Sequence, residues 1–416
     1  MSKNHYVPRL ILRKFSDKLS LYNIKTGELK ENIPPEHAYA IENFYDDETE
    51  SKLNLRIESQ FGGLLSNIIL KKDKEINLSR ANVLLIKKFL LVSIIRSVQG
   101  EDFMQAEKYF YDRLNTLAKR YAELKGLPYN NDAFTPPFEE KQIDNETSFD
   151  YWMRTLNVIL DTDGTPQQIL KHPNKTYPAY RWACIVNSGY LAFWDAPNDR
   201  DEFVITDIGM TSENEKGWDG IRIHNRKKIE YIESLLKSTI DSNERDSLLN
   251  LLNTVSSFSE NFQMFPISSK RMIVLISPFF KVRYFWKLSG KTVPPLNDIT
   301  VIPNEKLFEP NRNFYVLPQT PGKEYQYHED DRYIYDIKKL TNEEIRYCNA
   351  LFLDRIDTYL GFSSLEHAVG SIIKYKKLND PPYIPRVDYT NLYKVIEERY
   401  MGDLNILYCI AFYKQS

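Results

Sequence analysis

A histidine and two arginines near the start of the chain have the residue types and the spacing that chemistry on an anion requires. Pro8 favours the first turn of a helix, so His5 is predicted to lie just before a helix N-terminus. An imidazole titrates near neutral pH and can act as a general base, a general acid or a metal ligand. Arg9 and Arg13 would lie on one face of that helix, where the helix dipole also favours a phosphate. In the alternative interpretation, His5 caps the helix and both arginines pair with carboxylates of a neighbouring helix.

A second candidate pair consists of Glu58 and Arg96, each at the end of an apolar stretch. A charge at the edge of the core needs a partner, so the simplest expectation is a Glu58–Arg96 ion pair. A carboxylate in that position could also bind a metal ion or act as a base, and both uses stay open.

Asp207 follows the predicted strand 202–206. Binding residues often emerge where a strand ends, but an aspartate there is equally common in an Asx-turn that has no function. Ser268 lacks the Gly-x-Ser-x-Gly sequence that surrounds many nucleophilic serines, so a serine hydrolase is not favoured.

Composition and missing motifs narrow the function classes. The chain of 416 residues has a net charge of −2, so any contact with nucleic acid has to be local. The 28 tyrosines and 22 phenylalanines are expected mainly in the core, although exposed rings could stack on bases. The sequence has no Walker A loop, Gly-x-Gly-x-x-Gly, His-Glu-x-x-His or Cys-x-x-Cys. These absences argue against nucleotide-driven motors, nicotinamide enzymes and zinc proteases.

We expect a soluble, cytoplasmic protein that does not enter a membrane. The N-terminus has no apolar signal region, and the apolar run 83–95 is interrupted by Lys87 and Lys88. The three widely spaced cysteines have neither disulfide nor zinc spacing, which is typical of reduced core residues.

Hydrophobic periodicity predicts an α+β fold, mostly helical with a small antiparallel or mixed sheet. Strands are predicted at 19–24, 190–194, 202–206, 271–276 and 279–286, with the second and third forming a hairpin. Helices are predicted at 48–72, 79–95, 102–124, 149–170, 226–256 (as two helices) and 341–360, with two more flanking the prolines at 381–385. The predicted regions are an N-terminal helical region (1–127), a linker (128–148), a central region with strands and helices (149–286), a long loop (287–331) and a C-terminal helical region (332–416).

Several sequence blocks together resemble the family catalogued as domain of unknown function 4238, in the family's order from about residue 4 to about residue 360. The blocks are His5-Tyr6-Val7-Pro8 and the segment to Phe15; Asn43-Phe44-Tyr45 with Glu50 and Ile57-Glu58; Arg96; Phe203-Val204-Ile205-Thr206-Asp207; Phe265-Pro266-Ile267-Ser268 with Met272-Ile273-Val274-Leu275; and Asn349. In one departure, Ile208-Gly209 replace the usual Asn-Pro after Asp207, which changes the expected turn.

The resemblance implies a bacterial protein associated with anti-phage defence. The predicted site has His5, Glu58 and Asp207 as catalytic residues and Arg9, Arg13, Arg96 and Asn349 as substrate-binding residues. Such a mixture suits phosphodiester hydrolysis with His5 as general base, and a divalent metal ion is the expected class of cofactor. The leading hypothesis is an intracellular defence effector, a nuclease, that acts on nucleic acid or a nucleotide and has nucleic acid or a phage component as its partner. The alternatives are a non-catalytic sensor or partner-binding protein of a defence system, and a transferase that modifies a host macromolecule. The metal ligands and the oligomeric state do not follow from the sequence.

Overall fold

The computed structural model describes residues 3–42, 44–71, 73–97, 147–161, 189–197, 200–212, 262–276, 315–317, 332–377 and 387–400, with a few single positions between them. Over these residues the expected mixture of α and β structure is confirmed. The strands are β1 (Lys3–His5), β2 (Leu19–Asn23), β3 (Glu28–Ile33), β4 (Ala40–Glu42), β5 (Glu75–Ser79), β6 (Tyr190–Asp195), β7 (Ile205–Thr206), β8 (Thr211–Ser212), β9 (Phe262–Pro266), β10 (Arg271–Ile276), β11 (Tyr315–Leu317), β12 (Arg332–Lys339) and β13 (Tyr359–Phe362). The helices are α1 (Arg9–Phe15), α2 (Asp47–Leu53), α3 (Ser59–Leu64), α4 (Arg80–Ser97), α5 (Ser148–Asp161), α6 (Asn342–Asp354), α7 (Leu365–Lys377) and α8 (Thr390–Tyr400).

The largest sheet among these elements has seven strands and an apolar centre. Its order is β11-β12-β6-β10-β9-β8, and β5 also pairs with β12. Every residue of β10 is buried, as expected for a strand that is covered on both faces. Because β12 pairs in parallel with β6 and antiparallel with β5 and β11, the sheet is mixed.

A second, antiparallel sheet has the order β3-β2-β13-β7 and joins the start of the chain to residues more than 300 positions away. Its strand β2 is almost entirely buried. Tyr39 packs against this sheet and donates a hydrogen bond from its hydroxyl to the carbonyl oxygen of Ile205, at 2.9 Å. The sheet therefore supports the segment that leads into β4.

The third sheet is the two-stranded ribbon of β1 and β4, in which His5 lies opposite Ala40 and Asn4 opposite Ile41. A short ribbon has little stability of its own and needs packing from other elements. The ring of Tyr6 supplies part of it by packing edge-on against Tyr39, with ring centroids 5.9 Å apart. The N-terminus is thus tied into the fold.

One long helical stretch runs from α2 through α3 and contains two π-helical segments, Asn54–Glu58 and Leu65–Ile69. It packs on α4, where the rings of Phe61 and Phe89 stack with centroids 3.8 Å apart. A π-segment inside a helix is rare and occurs often at functional sites. Glu58 is the last residue of the first π-segment.

Two predictions about strand pairing and helix length are wrong. Strands β6 and β7 do not form a hairpin, because β6 pairs with β10 and β12 whereas β7 pairs with β13. The helix that begins after Thr341 ends at Asp354 rather than at residue 360. Residues 359–362 instead form β13, since pairing with β2 and β7 outweighs the local helical pattern.

Several predicted elements agree with the structure, and others fall outside the described residues. The capping box of Thr341 and Glu344 is confirmed, as is the cap that the Ser79 hydroxyl gives to α4 by accepting from the amide of Asn82. The predicted helices at 102–124 and 226–256, the strand at 279–286, and most of the linker and long loop lie outside the described residues. Within the described part, no helix is both long enough and apolar enough to cross a membrane.

Gly361 lies in β13, where the second sheet is closely packed. A methyl group at this position would overlap the hydroxyl of Tyr39 and lie 3.1 Å from Ile205 Cγ2. We expect Gly361→Ala to lower the free energy of unfolding by about 1–3 kcal/mol, because overpacking displaces the Tyr39 hydroxyl from its hydrogen bond. Urea denaturation would measure the change. Gly62→Ala is the control, since a methyl group in this helix meets nothing within 4 Å. It should stabilise the protein by up to about 1 kcal/mol, and equal effects of the two variants would contradict the packing argument.

Candidate functional site

His5 is the last residue of β1 and is buried. Its partner strand β4 follows Tyr39, whose backbone is strained. Tyr39 has φ 53°, a left-handed conformation that is unusual for a bulky side chain. Its carbonyl oxygen accepts from the amide of Tyr6 at 3.2 Å, and its hydroxyl is bound to Ile205. Strain of this kind persists only where the surroundings determine it, and such residues cluster at functional sites.

The ring of His5 is 5% exposed and has one free nitrogen. The ring is hydrogen-bonded to the backbone of Glu36, whereas Nε2 is buried and has no partner in the described structure. Burial lowers the pKa of His5 below its ordinary value, and the positive charge of Arg9 lowers it further. The imidazole is therefore neutral at pH 7, with Nδ1 donating to Glu36 and the lone pair on Nε2.

His5 was predicted to lie just before a helix N-terminus, with capping of that helix as the alternative, and the structure separates the two predictions. His5 lies in β1, and the first residue of α1 is Arg9, with Pro8 as N-cap and no side chain that caps the helix. The helix start at Pro8 is therefore as predicted, but the interpretation of His5 as a cap is wrong.

Arg96, near the end of α4, has a buried guanidinium that contacts three other residues. Nη1 donates to Glu58 Oε1 at 2.5 Å, and Nη2 donates to the carbonyl oxygen of His5. The ring of Tyr45 lies 5.9 Å from Cζ. The predicted Glu58–Arg96 ion pair is confirmed. Nε of Arg96 is buried and has no partner in the described structure, so the cluster contains two buried polar atoms without partners, Nε here and Nε2 of His5.

Asn4, Tyr45 and Glu50 complete the cluster, and the sequence did not predict them as site residues. The Oδ1 atom of Asn4 accepts from the amide of Tyr45 at 3.0 Å, and Nδ2 donates to Glu50 at 3.4 Å. Burial raises the pKa of Glu50, and the nearby charge of Glu58 adds to this effect. The available signal was that Tyr45 and Glu50 belong to the same family-like block as Glu58, and that Asn4 directly precedes the block that begins at His5. We call the six residues Asn4, His5, Tyr45, Glu50, Glu58 and Arg96 the His5 cluster.

The two arginines of α1 have different surroundings. Arg13 is exposed and pairs with Glu36 at 2.8 Å. Arg9 is also exposed and has no hydrogen-bond or ion-pair partner in the described structure. Its positive charge lowers the pKa of His5 and opposes the rise in the pKa of Glu50. Of the two arginines that were predicted to bind one anion, only Arg9 has an unpaired guanidinium.

Asp207 and Asn349 make their hydrogen bonds away from the His5 cluster. The Asp207 carboxylate accepts from the amides of Asp357, Thr358 and Tyr359 at 3.1, 2.5 and 3.0 Å. Burial raises the pKa of Asp207 even though these three bonds favour the ionised form. The bonds hold the start of β13, which is a structural role, and the predicted catalytic role stays a prediction.

The Asn349 side chain is fully buried on α6 and satisfied on both sides. Its oxygen accepts from the amide of Val204 at 3.1 Å, and its nitrogen donates to the Glu202 carbonyl and the Ser371 hydroxyl at 2.7 and 2.8 Å. These bonds hold the extended segment before β7 against two helices. Substrate binding by Asn349 likewise stays a prediction.

The residues that the structure describes contain no group of three histidine, cysteine or carboxylate side chains that could hold a metal ion. The divalent ion expected from the sequence therefore has no ligand set in this part of the chain.

Comparison with known proteins gives one match. The model of the family described as "Protein of unknown function (DUF4238)" matches residues 3–355. No curated protein and no solved structure matches the chain.

The neutral state of His5 predicts a pH-dependent stability. Because the pKa of His5 is lowered in the folded protein, the unfolded chain takes up a proton near pH 6.5 while the folded protein does not. The stability that a neutral His5 provides is present above about pH 6.5 and is lost as the pH falls toward the folded-state pKa. Unfolding by urea between about pH 7.5 and pH 5.5 should show an extra slope of at most about 1.4 kcal/mol per pH unit.

The variant His5→Asn should lack this extra slope, because its amide can still donate to Glu36 but has no group that titrates. His37→Ala, which removes an exposed histidine from the same region, would be measured alongside as the control substitution. Equal slopes for wild type and His5→Asn would show that His5 is not held neutral.

Proposed function

The chain belongs to the family described as protein of unknown function DUF4238, and we propose that it hydrolyses phosphodiester bonds in nucleic acid or nucleotides as an intracellular effector of anti-phage defence. One observation carries the proposal. His5 is buried and neutral, and its Nε2 lone pair faces no protein donor in the described structure. Such an atom is suited to accept a proton from a water molecule.

In the proposed reaction His5 is the general base. Nε2 removes a proton from a water molecule while the water oxygen forms a bond to phosphorus. The bond from phosphorus to the leaving ester oxygen breaks, and its electron pair stays on that oxygen. Glu50 gives this oxygen a proton, since burial raises the pKa of Glu50 and favours its protonated form. Proton exchange with solvent then restores both side chains.

Two arginines have separate roles in this proposal. Arg9 is exposed and unpaired in the described structure, so its guanidinium can bind a phosphate without breaking an ion pair. Arg96 is a positioning residue, because it holds the His5 carbonyl through Nη2 and is itself oriented by Glu58. The Nε–H of Arg96 has no partner in the described structure, so it could donate to a bound water or phosphate oxygen.

A non-catalytic sensor is the second candidate, and the contacts of Arg96 favour it. Both Nη atoms are used in bonds that join β1, the π-segment and α4. The same bonds would be needed if the cluster only tied the N-terminus to the core. A variant that removes Nε2 of His5 but keeps its hydrogen bond to Glu36 separates the two functions.

We expect His5→Asn to fold and to lose hydrolysis of single-stranded RNA or DNA by about 100- to 10,000-fold, the usual contribution of a general base. The purified protein would be incubated with labelled oligonucleotides and the products separated by electrophoresis. His37→Ala is the matched control and should keep full activity, because this histidine is exposed and outside the cluster. Thermal unfolding of each variant would show that the fold is retained.

Undiminished cleavage by His5→Asn would remove His5 as the base. Intact oligonucleotides after incubation with wild type would refute hydrolysis and favour the sensor. The sensor also predicts that at pH 7.5 His5→Asn unfolds like wild type whereas His5→Ala loses stability, because only the alanine variant loses the bond to Glu36.

The defence role is tested in bacteria. Cells that express the wild-type chain should give fewer plaques than cells with an empty vector over a panel of phages. Cells that express His5→Asn at the same level should give plaques like the empty vector, since defence by hydrolysis needs the base. Protection by both proteins would assign the defence to binding rather than to hydrolysis.

A further inference from the structure

Three polar side chains from separate parts of the chain meet at the buried carboxylate of Glu202. Oε1 of Glu202 lies 3.1 Å from Nζ of Lys270. Oε2 lies 3.2 Å from Nδ1 of His367 and accepts a hydrogen bond from the Ser363 hydroxyl. We call these four residues the Glu202 cluster. Over the described residues, no contact of His367 or Ser363 involves the His5 cluster, so the two sites are separate.

Hydrogen bonds fix the backbone that carries Glu202 and Lys270. The Glu202 carbonyl accepts from Nδ2 of Asn349, at 2.7 Å. Lys270 lies in the turn between β9 and β10, where the Ser268 hydroxyl accepts from its amide at 3.2 Å. A backbone hydrogen bond of 2.9 Å joins this turn to the segment of Glu202. Ser268 and Asn349, which the sequence singled out, thus hold parts of the Glu202 cluster in position.

The contact with Glu202 determines which nitrogen of His367 carries a proton. A carboxylate oxygen only accepts, so Nδ1 must donate to it. In the neutral ring Nε2 then holds the lone pair. Nε2 has no partner in the part of the chain that the structure describes, and the side chain is 29% exposed. The ring is therefore oriented by Glu202 and accessible to a small molecule at Nε2.

Ser363, His367 and Glu202 do not form a catalytic triad. Ser363 Oγ lies 3.1 Å from Nδ1 of His367, the same nitrogen that faces Glu202. In a triad the serine and the carboxylate bind opposite nitrogens of the ring. Because Nδ1 already carries a proton, it cannot remove the proton of Ser363. The accessible reactive atom of the cluster is therefore Nε2 of His367.

The charges around His367 match those that form when an imidazole is phosphorylated. A bond from Nε2 to phosphorus puts positive charge on the ring, and the Glu202 carboxylate stabilises this charge through Nδ1–H. The transferred group is itself negative. Lys270 is 40% exposed and holds an ammonium at the other oxygen of the same carboxylate. An acyl group has no negative charge for Lys270 to stabilise, so the cluster fits a phosphoryl donor better than an acyl donor.

Two further carboxylates lie next to members of the cluster in the sequence. Asp201 is paired with Arg346, at 3.2 Å, so its charge is compensated. Glu366 is exposed and precedes His367 on α7. Adjacent residues of a helix do not face each other, so Glu366 and His367 project from different faces. Neither carboxylate is expected to repel a phosphoryl group at Nε2 strongly.

We propose that His367 is a nucleophile that takes a phosphoryl group from a small acyl phosphate. The Nε2 lone pair forms a bond to phosphorus, the bond from phosphorus to the acyl oxygen breaks, and its electron pair leaves on the carboxylate product. Nδ1 keeps its proton and its bond to Glu202. Attack of water on phosphorus later breaks the P–N bond, returns the electron pair to Nε2, releases a proton to solvent and gives phosphate. This activity is independent of the proposed hydrolysis by His5.

The test incubates the full-length protein with acetyl phosphate labelled in its phosphoryl group, at about pH 8, where an ordinary imidazole is neutral. We expect a label that is lost in acid and stable in alkali, as phosphohistidine is, and that mass spectrometry places on His367. His367→Gln should abolish this label. Glu202→Gln should slow labelling by about 10- to 100-fold, the range seen when the carboxylate behind a metal-binding histidine is removed. His37→Ala is the control and should be labelled like wild type, because this exposed histidine lies outside the cluster.

The absence of label on His367 would overturn the proposal, and so would an acid-stable label on Ser363, which would make the serine the nucleophile. Ser363→Ala keeps the Glu202 carboxylate and should still be labelled. Equal rates of labelling at His367 and His37 in wild type would also overturn the proposal, because the cluster would then not activate its histidine. This last comparison needs no variant, so it decides the matter even if Glu202→Gln fails to fold.

Discussion

The buried guanidinium of Arg96 is the interaction on which the arrangement of the N-terminal third depends. A guanidinium keeps its proton at any pH that a protein meets, so burial forces other groups to compensate the charge. Glu58 does so from a π-segment, and the His5 carbonyl does so from β1. These two bonds define where the strand and the helix meet α4. His5 lies on the strand that Arg96 holds, and Glu50 lies on α2, which leads directly into the π-segment of Glu58.

A second constraint links this cluster to the rest of the molecule. The hydroxyl of Tyr39 reaches the carbonyl oxygen of Ile205 in β7, and β7 pairs with β13. The start of β13 is held by the carboxylate of Asp207, which accepts from three consecutive amides. The ribbon that carries His5 is therefore supported by a sheet whose other strands come from the far end of the chain. In this structure the Asp207 and Asn349 side chains bond to backbone groups of the segments around β7 and β13. They thereby stabilise the sheet that supports the site.

Elements that depend on residues close together in the sequence were predicted correctly. Elements that depend on residues far apart in the sequence were not. The cap of Thr341 and Glu344 acts within three residues, and it was predicted correctly. The end of the same helix was not, because the strand after it is stabilised by β2, more than 300 residues earlier. The predicted hairpin of β6 and β7 failed for the same reason, since each strand has a partner from a distant part of the chain. Strand β5 was not expected at all, and it pairs with β12.

For the site, the sequence alone determined three of the six members of the His5 cluster: the histidine before Pro8, and the charges of Glu58 and Arg96 at the ends of apolar stretches. It also identified Arg9 as a candidate to bind an anion. It also determined helix starts and the buried strand β10, because a helix cap and a short continuous apolar run are local features of the sequence. Only the tertiary structure decided that Arg13 pairs with Glu36, that Asn4, Tyr45 and Glu50 join His5, and that Phe149 contacts Phe44. Such contacts join residues up to about 100 positions apart, and they form where the shapes of packed elements bring side chains together. The neutral state of His5 is likewise a tertiary property, since burial and the charges of Arg9 and Arg96 produce it.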